Sequence, residues 1–184
     1  MLIRPVQPAD FPAIADLTNA FIVGTAVHFG EEPVTAEEMR LAWEESRARY
    51  PFLVAEEPPP TPAGGGGGRF LGYAKAGPWR TRSAYRYCAE TGIYMVPEAR
   101  GRGLGAHLYR ALIQACRDAG FHTLVAGATL PNPASEALHR AVGFTPAGTF
   151  REVGWKLGAW HDVIFWELPL SPGVPPAGPA PRVT

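Results

Sequence analysis

Cysteine is scarce in this chain: Cys88 and Cys116 are the only two in 184 residues. No Cys-x-x-Cys pair or histidine-rich spacing accompanies them. That excludes a zinc module and a disulfide-stapled scaffold, and no metal is expected. Both thiols suit the buried, reduced state of an intracellular protein. An excess of one charge is also lacking. Lys plus Arg and Asp plus Glu each total 17, which gives no general attraction for nucleic acid or an anionic membrane. No apolar run approaches the roughly 18 residues of a membrane span. The opening Met-Leu-Ile-Arg-Pro carries no signal-peptide core, so a cytoplasmic protein is expected. Two phosphate-loop patterns are missing too. There is no Gly-Lys-Ser/Thr of the Walker type and no G-x-G-x-x-G of the dinucleotide type.

Glycine and proline, by contrast, are plentiful, at 21 and 20 residues. One glycine-rich stretch organises the chain: Val96-Pro97-Glu98-Ala99-Arg100-Gly101-Arg102-Gly103-Leu104-Gly105-Ala106. A β-branched and aromatic run, Thr91-Gly92-Ile93-Tyr94-Met95-Val96, precedes it. Leu104, Leu108, Ala111, Leu112 and Ala115 follow at helical spacing. The order is strand, glycine turn, helix. Such a turn suits an anion, because a helix N-terminus offers unpaired N–H groups and glycines let a ligand approach the backbone. Arg100 and Arg102 add charge-assisted donors.

In chain order, residues 2–5 read as a first strand. Asp10 is placed to cap a helix carrying Phe11, Ile14, Leu17 and Phe21. Thr35-Ala36-Glu37-Glu38 is a capping box that opens a second helix, which Pro51 stops. Phe52-Leu53-Val54-Ala55-Glu56 reads as a strand. Residues 57–69, rich in proline and glycine, read as a flexible hairpin tip. A strand precedes the glycine turn and another covers 123–129. Asn132 with Pro133 opens a short helix that ends at Gly143-Phe144. Residues 145–152 and 159–168 read as final strands joined through 154–158. The proline-rich 171–184 reads as a disordered tail. Strands alternating with helices imply one α/β domain over residues 1–170, built around a mixed sheet.

The glycine turn resembles the coenzyme A pyrophosphate loop of the Gcn5-related N-acetyltransferases (GNAT), Arg/Gln-x-x-Gly-x-Gly/Ala, at Arg100, Gly103 and Gly105. Asn132, Ser135, Leu138, Gly143 and Phe144 match that family's later motif, with His139 where many members have tyrosine. Gly77-Pro78-Trp79, Ala89-Glu90-Thr91, Leu130-Pro131-Asn132 and Trp160-His161-Asp162-Val163 resemble the phosphinothricin and methionine sulfoximine N-acetyltransferases. The resemblance covers about residues 2–170. It implies the GNAT fold: a mixed, mostly antiparallel sheet with helices on both faces. It also implies acetyl transfer from acetyl-CoA to the α-amino group of a glutamate-like amino acid, and a homodimer.

The resemblance also implies roles for single residues. Glu90 is the expected base. His139 is expected as a donor near the leaving thiolate, or instead as an aid to proton removal or an orienting group for the substrate. The backbone from Arg100 through Gly101, Arg102, Gly103, Leu104 and Gly105 to Ala106 is expected to hold the pyrophosphate. Asn132 and Ser135 are expected along the pantetheine. The oxyanion donor is expected at a backbone N–H near Tyr94, Met95 or Val96. Arg80, Arg82 and Tyr85 are expected on the acceptor's acidic groups, where an arginine fork suits a carboxylate or phosphinate. Phe29 is expected against the acceptor's other end. His28 and His161 read as structural. Acetylation of another small amine and a non-catalytic acetyl-CoA sensor stay open as alternatives.

Overall fold

The computed structural model describes residues 1–58, 68–176, 178 and 180–183. In chain order its elements are β1 (Leu2–Pro5), α1 (Phe11–Gly24), α2 (Ala36–Ser46), β2 (Phe52–Glu57), β3 (Arg69–Pro78), β4 (Cys88–Met95), α3 (Leu104–Asp118), β5 (Thr123–Thr129), α4 (Pro133–Ala141), β6 (Thr145–Lys156) and β7 (Ala159–Pro169). The strands form a seven-stranded sheet in the order β1-β2-β3-β4-β5-β7-β6. Only β4 and β5 run parallel; every other neighbouring pair is antiparallel.

Two apolar clusters sandwich the sheet. On one face Phe11, Ile14 and Leu17 of α1, at the spacing of one helical stripe, pack with Val54 and Tyr73. On the other, Leu108, Tyr109, Leu112 and Cys116 of α3 are fully enclosed with Leu124 and Trp166. Burying each leucine contributes about 1.5–3 kcal/mol. The capping box on α2 forms in both directions between Thr35 and Glu38. Asp10 behaves differently from expectation. It stands at the N-cap of α1, but its carboxylate makes no cap bond. It accepts instead from Arg4 at 2.7 Å and from the Gln7 N–H at 2.7 Å, because a guanidinium within reach is the stronger partner.

The last hairpin is longer than its sequence suggests. Strand β6 runs through residues 154–156, expected as connection, and turns at Leu157 and Gly158, both with positive φ. Irregular register between Phe150 and Gly154, with Glu152 at φ 48°, breaks the alternation that would have marked it as strand. The expected hairpin tip at 57–69 falls mostly outside the described residues; its flanks pair, with Glu57 opposite Arg69. The tail, expected as disordered, lies in its described part against the body. Arg182 N–H donates to the Ala119 carbonyl at 3.0 Å and Val183 N–H to that of Ala48 at 3.1 Å. Backbone pairing with two segments supplies what its composition does not. No helix is long and apolar enough to cross a membrane among the described residues.

Candidate active site

The site begins where the sheet comes apart. Parallel pairing of β4 with β5 covers Cys88–Thr123, Ala89–Leu124 and Glu90–Val125, and stops there. Beyond it the two strands continue unpaired with each other, so a gap opens between Thr91–Met95 and the end of β5. Glu90 stands at the fork. Its side chain lies on the α1/α2 face, since the β-pleat puts it with Gly92 and Tyr94. A cavity of about 310 Å³ lies there, lined by Glu90, Tyr94, His28, Phe29, Gly127, Thr129, Val163 and Phe165, among others. Glu90 remains open to solvent, yet the apolar walls desolvate its carboxyl and push its pKa above the ordinary carboxylate value. The positive charges of Arg80 and Lys75 pull the other way.

The glycine turn presents an anion cradle. Gly101 and Gly103 adopt φ of 69° and 73°, a backbone region that side chains disfavour, and Gly103 is the N-cap of α3. Among the described residues no main-chain partner is found for the N–H groups of Gly101, Arg102, Gly103, Leu104 and Gly105. The two ends of the expected cradle are spent otherwise. Arg100 N–H bonds the Pro97 carbonyl, and Ala106 N–H bonds that of Gly103. The Arg100 side chain also departs from expectation: its Nε donates to the Met95 carbonyl at 3.0 Å and its guanidinium lies 5.2 Å from the Phe21 ring centre. It braces the turn from within. Arg102 is exposed, and its Nη1 donates to the Glu98 carbonyl at 3.5 Å.

The expected strand residues divide in three ways. The Tyr94 ring faces the cavity at Glu90, not the glycine turn, and burial pushes its hydroxyl up to about 12. Met95 is core, its side chain beside Gly105 in the first turn of α3. Val96 N–H is bonded to the Leu71 carbonyl, which removes it as an oxyanion donor. Asn132 caps α4 by accepting from Ser135 N–H at 3.1 Å, leaving its amide N–H₂ to spare.

His139 is 4% exposed and does not line the cavity. Its Nδ1 meets the Ser135 carbonyl at 2.8 Å and Nε2 the Tyr109 hydroxyl at 3.2 Å; that hydroxyl meets Thr91 Oγ1 at 2.8 Å. The ring stacks on Trp166. Burial lowers its pKa, so it is the neutral tautomer with Nδ1–H donating to the carbonyl. His139 is thus enclosed on the α3/α4 side and joined through Tyr109 to Thr91 of β4, where the expectation was a side chain at the thiolate.

Beside the cavity, Arg80 stacks on Trp79 with Cζ 4.0 Å from the ring centre, and Trp79 packs edge-on against Phe165 of the cavity wall. Arg82 and Tyr85 lie on the exposed loop that follows and do not line the cavity. Phe29 lines it, seated where a Cβ on Gly154 would fall 2.2 Å from its ring. His28, read as structural, lines it too. Sequence reasoning missed Lys156, Gly154 and Lys75. Lys156 is 6% exposed and donates to three main-chain carbonyls, of Ile22, His28 and Gly30, at 2.5–2.6 Å. A lysine and a glycine in an irregular strand carry no periodic signal, so nothing in the sequence pointed to them. Among the described residues no group of three His, Cys, Asp or Glu side chains is arranged to hold a metal.

Comparison with known proteins agrees with this arrangement. The Acetyltransferase (GNAT) family model matches residues 14–144. A phosphinothricin N-acetyltransferase of Streptomyces viridochromogenes is 39% identical over 174 residues, 95% of this chain and 90% of the relative. An L-methionine sulfoximine/L-methionine sulfone acetyltransferase of Pseudomonas aeruginosa is 38% identical over 172 residues, 92% of this chain and 95% of the relative. The crystal structure of a phosphinothricin acetyltransferase from Sinorhizobium meliloti in complex with acetyl-CoA superposes with a TM-score of 0.87 at 32% identity, covering 97% of this chain and 94% of that one.

Proposed function

The chain belongs to the acetyltransferase (GNAT) family, and on that premise we propose that it acetylates the α-amino group of phosphinothricin, methionine sulfoximine or a similar glutamate-like amino acid. The relatives that carry those names cover nearly the whole chain. One observation carries the reading: a carboxylate of raised proton affinity, Glu90, stands at the fork of β4 and β5 with a small acceptor-side cavity before it.

The cradle fits acetyl-CoA. Five backbone N–H groups at the N-terminus of a fifteen-residue helix suit a pyrophosphate. Gly101, Arg102, Gly103, Leu104 and Gly105 would hold it, with Arg102 as the mobile counter-charge and the Asn132 amide along the pantetheine arm. When bound, acetyl-CoA supplies a thioester acyl group, whose thiol, with pKa near ~8.5, leaves without strong assistance.

The protein's own part is proton handling and positioning. Glu90 takes the proton that the acceptor ammonium must lose to become a nucleophile; a base with pKa raised towards the working pH does this better than an ordinary carboxylate. Arg80, close enough for its charge to act on Glu90, holds the acceptor's carboxylate, and Arg82 and Tyr85 extend that polar rim. Phe29 and Phe165 exclude water from the opposite wall. The Thr91–Tyr109–His139 hydrogen bonds keep β4 in place directly behind Glu90.

The enzyme is proposed to act as a homodimer in the cytoplasm. The β6–β7 hairpin supports the dimer: Trp155, Leu157 and Trp160 are each more than half exposed and form one apolar patch. The activity test is thiol release from acetyl-CoA by the purified protein. L-phosphinothricin, L-methionine sulfoximine, the common amino acids, a polyamine and a lysine peptide would serve as acceptors. Preference for the first two supports the proposal. Preference for another amine moves the substrate elsewhere, and binding of acetyl-CoA without turnover on any acceptor replaces the enzyme with a sensor.

A further inference from the structure

The small cavity at Glu90 opens beside a larger one. A space of about 620 Å³ lies between α2 and the sheet, and His28 and Tyr94 line both. Tyr73, Met39 and Trp43 give it apolar walls, and one lysine, Lys75 of β3, lines its sheet side. Gly77 pairs with Glu90 and Lys75 with Gly92, so Lys75 and Glu90 are diagonal neighbours on the same face, their Cα atoms about 7–8 Å apart. Among the described residues Lys75 makes no ion pair within 4.0 Å and no side-chain hydrogen bond: it is an exposed ammonium beside a largely apolar pocket. Two acidic residues of α2, Glu38 and Glu45, also line this space, and Glu38 is already committed to the Thr35 cap.

An ammonium so placed is open to a ligand anion. Its surroundings desolvate it, which lowers its pKa, and Glu90 offsets only part of that loss. A ligand anion arriving there recovers electrostatic energy that a neutral group does not.

We propose that Lys75 is the specificity residue for the distal end of the acceptor, binding an anionic group on the side chain of an amino acid whose α-amine lies at Glu90. The inference rests on the acceptor reading given above and deepens it. It assigns the two ends of a glutamate-like molecule to different cations: the α-carboxylate to Arg80 and the side-chain anion to Lys75. The span from Glu90 to Lys75 suits a side chain of that length. The preferred acceptors are then amino acids with a phosphinate or carboxylate at the far end, over isosteric ones ending in a neutral sulfoximine.

Steady-state kinetics with L-phosphinothricin and L-methionine sulfoximine on the wild type, Lys75→Met and Lys75→Arg would test this. The expected result is a fall of roughly 10–100-fold in the ratio of kcat/KM for phosphinothricin to that for the sulfoximine in Lys75→Met, carried by KM, the range expected for loss of one charged hydrogen bond. Lys75→Arg should restore most of that ratio. Circular dichroism of both variants checks that they fold. An unchanged ratio in Lys75→Met overturns the inference, as does a loss shared equally by the two acceptors. Wild-type inactivity on both acceptors would instead defeat the substrate reading itself, and the inference with it.

Discussion

The ammonium of Lys156, near the end of β6, donates to the main-chain carbonyl of His28, in the loop after α1. The same ammonium takes the carbonyls of Ile22, at the end of α1, and Gly30. A buried cation is thus held by carbonyl dipoles, helped by the negative end of α1. It ties the loop carrying His28 and Phe29 to the hairpin carrying Val153 and Gly154, and so fixes two walls of the acceptor cavity at once.

Lys156→Met should therefore act on both stability and binding. Leaving these carbonyls without their donor costs roughly 2–4 kcal/mol, read as a lower midpoint in urea. Acceptor KM should rise several-fold while the affinity for coenzyme A, whose proposed cradle is the glycine turn before α3, stays within about twofold. A parallel loss of coenzyme affinity would show that the loop is not the element being held.

Glu90→Gln should lower kcat by roughly 10²–10⁴-fold with coenzyme binding retained in calorimetry. The pH profile carries the sign. As the proposed base Glu90 acts deprotonated, so kcat/KM should rise with pH through its pKa, and burial places that acid limb above the ordinary value of about 4.3. Arg80 holds the pKa down, so Arg80→Gln should shift the limb to higher pH. A limb that moves lower, or that persists unchanged in Glu90→Gln, excludes Glu90 as the titrating base.

Gly103→Ala and Gly105→Ala should part company in thermal melts. Gly103 sits at φ 73°, where alanine costs about 1–2 kcal/mol. Gly105 is inside α3, and an added Cβ would meet Met95 Cγ at 3.7 Å, an ordinary contact; alanine there should leave stability unchanged or raise it by about 0.5–1 kcal/mol. Equal melting shifts would mean the turn relaxes freely.

His139 should make the fold acid-sensitive. Its folded pKa lies below the unfolded value of about 6.5 because burial disfavours the imidazolium. The unfolded chain then binds the extra proton first, so stability is complete above about pH 6.5 and declines as pH falls below it. His28, also lowered by burial, by Lys75 and by Lys156, adds to the same slope. Melting temperatures measured between pH 5 and 8 should show a shallower slope in His139→Asn than in the wild type. Parallel slopes would remove His139 from the linkage.

The sequence made the frame legible where local rules suffice. Thr35 with Glu38, Asn132 with Pro133, and the glycines before Leu104 are short-range signals, and each stands in the fold as read. Glu90 was legible only through likeness to relatives, since an isolated strand-end carboxylate carries no pattern. What escaped depends on long-range packing. Arg100 turns inward because Met95 and Phe21 come within reach, and His139 is enclosed because Trp166, Phe144 and Tyr109 close over it. Lys75 and Lys156 look like any surface lysine until the cavity and the α1 loop are placed beside them.

The sheet fork has a mechanical meaning. Because β4 and β5 share only the three pairs that end at Glu90 and Val125, the sheet is two plates, β1 to β4 and β5 to β7, riveted along a short seam at one end and unpaired at the other. Anything that fills the gap becomes a cross-tie between plates. Occupancy there then stiffens the whole protein rather than one pocket, and amide exchange along both free margins, near Ile93 and near Gly127, slows as a single event.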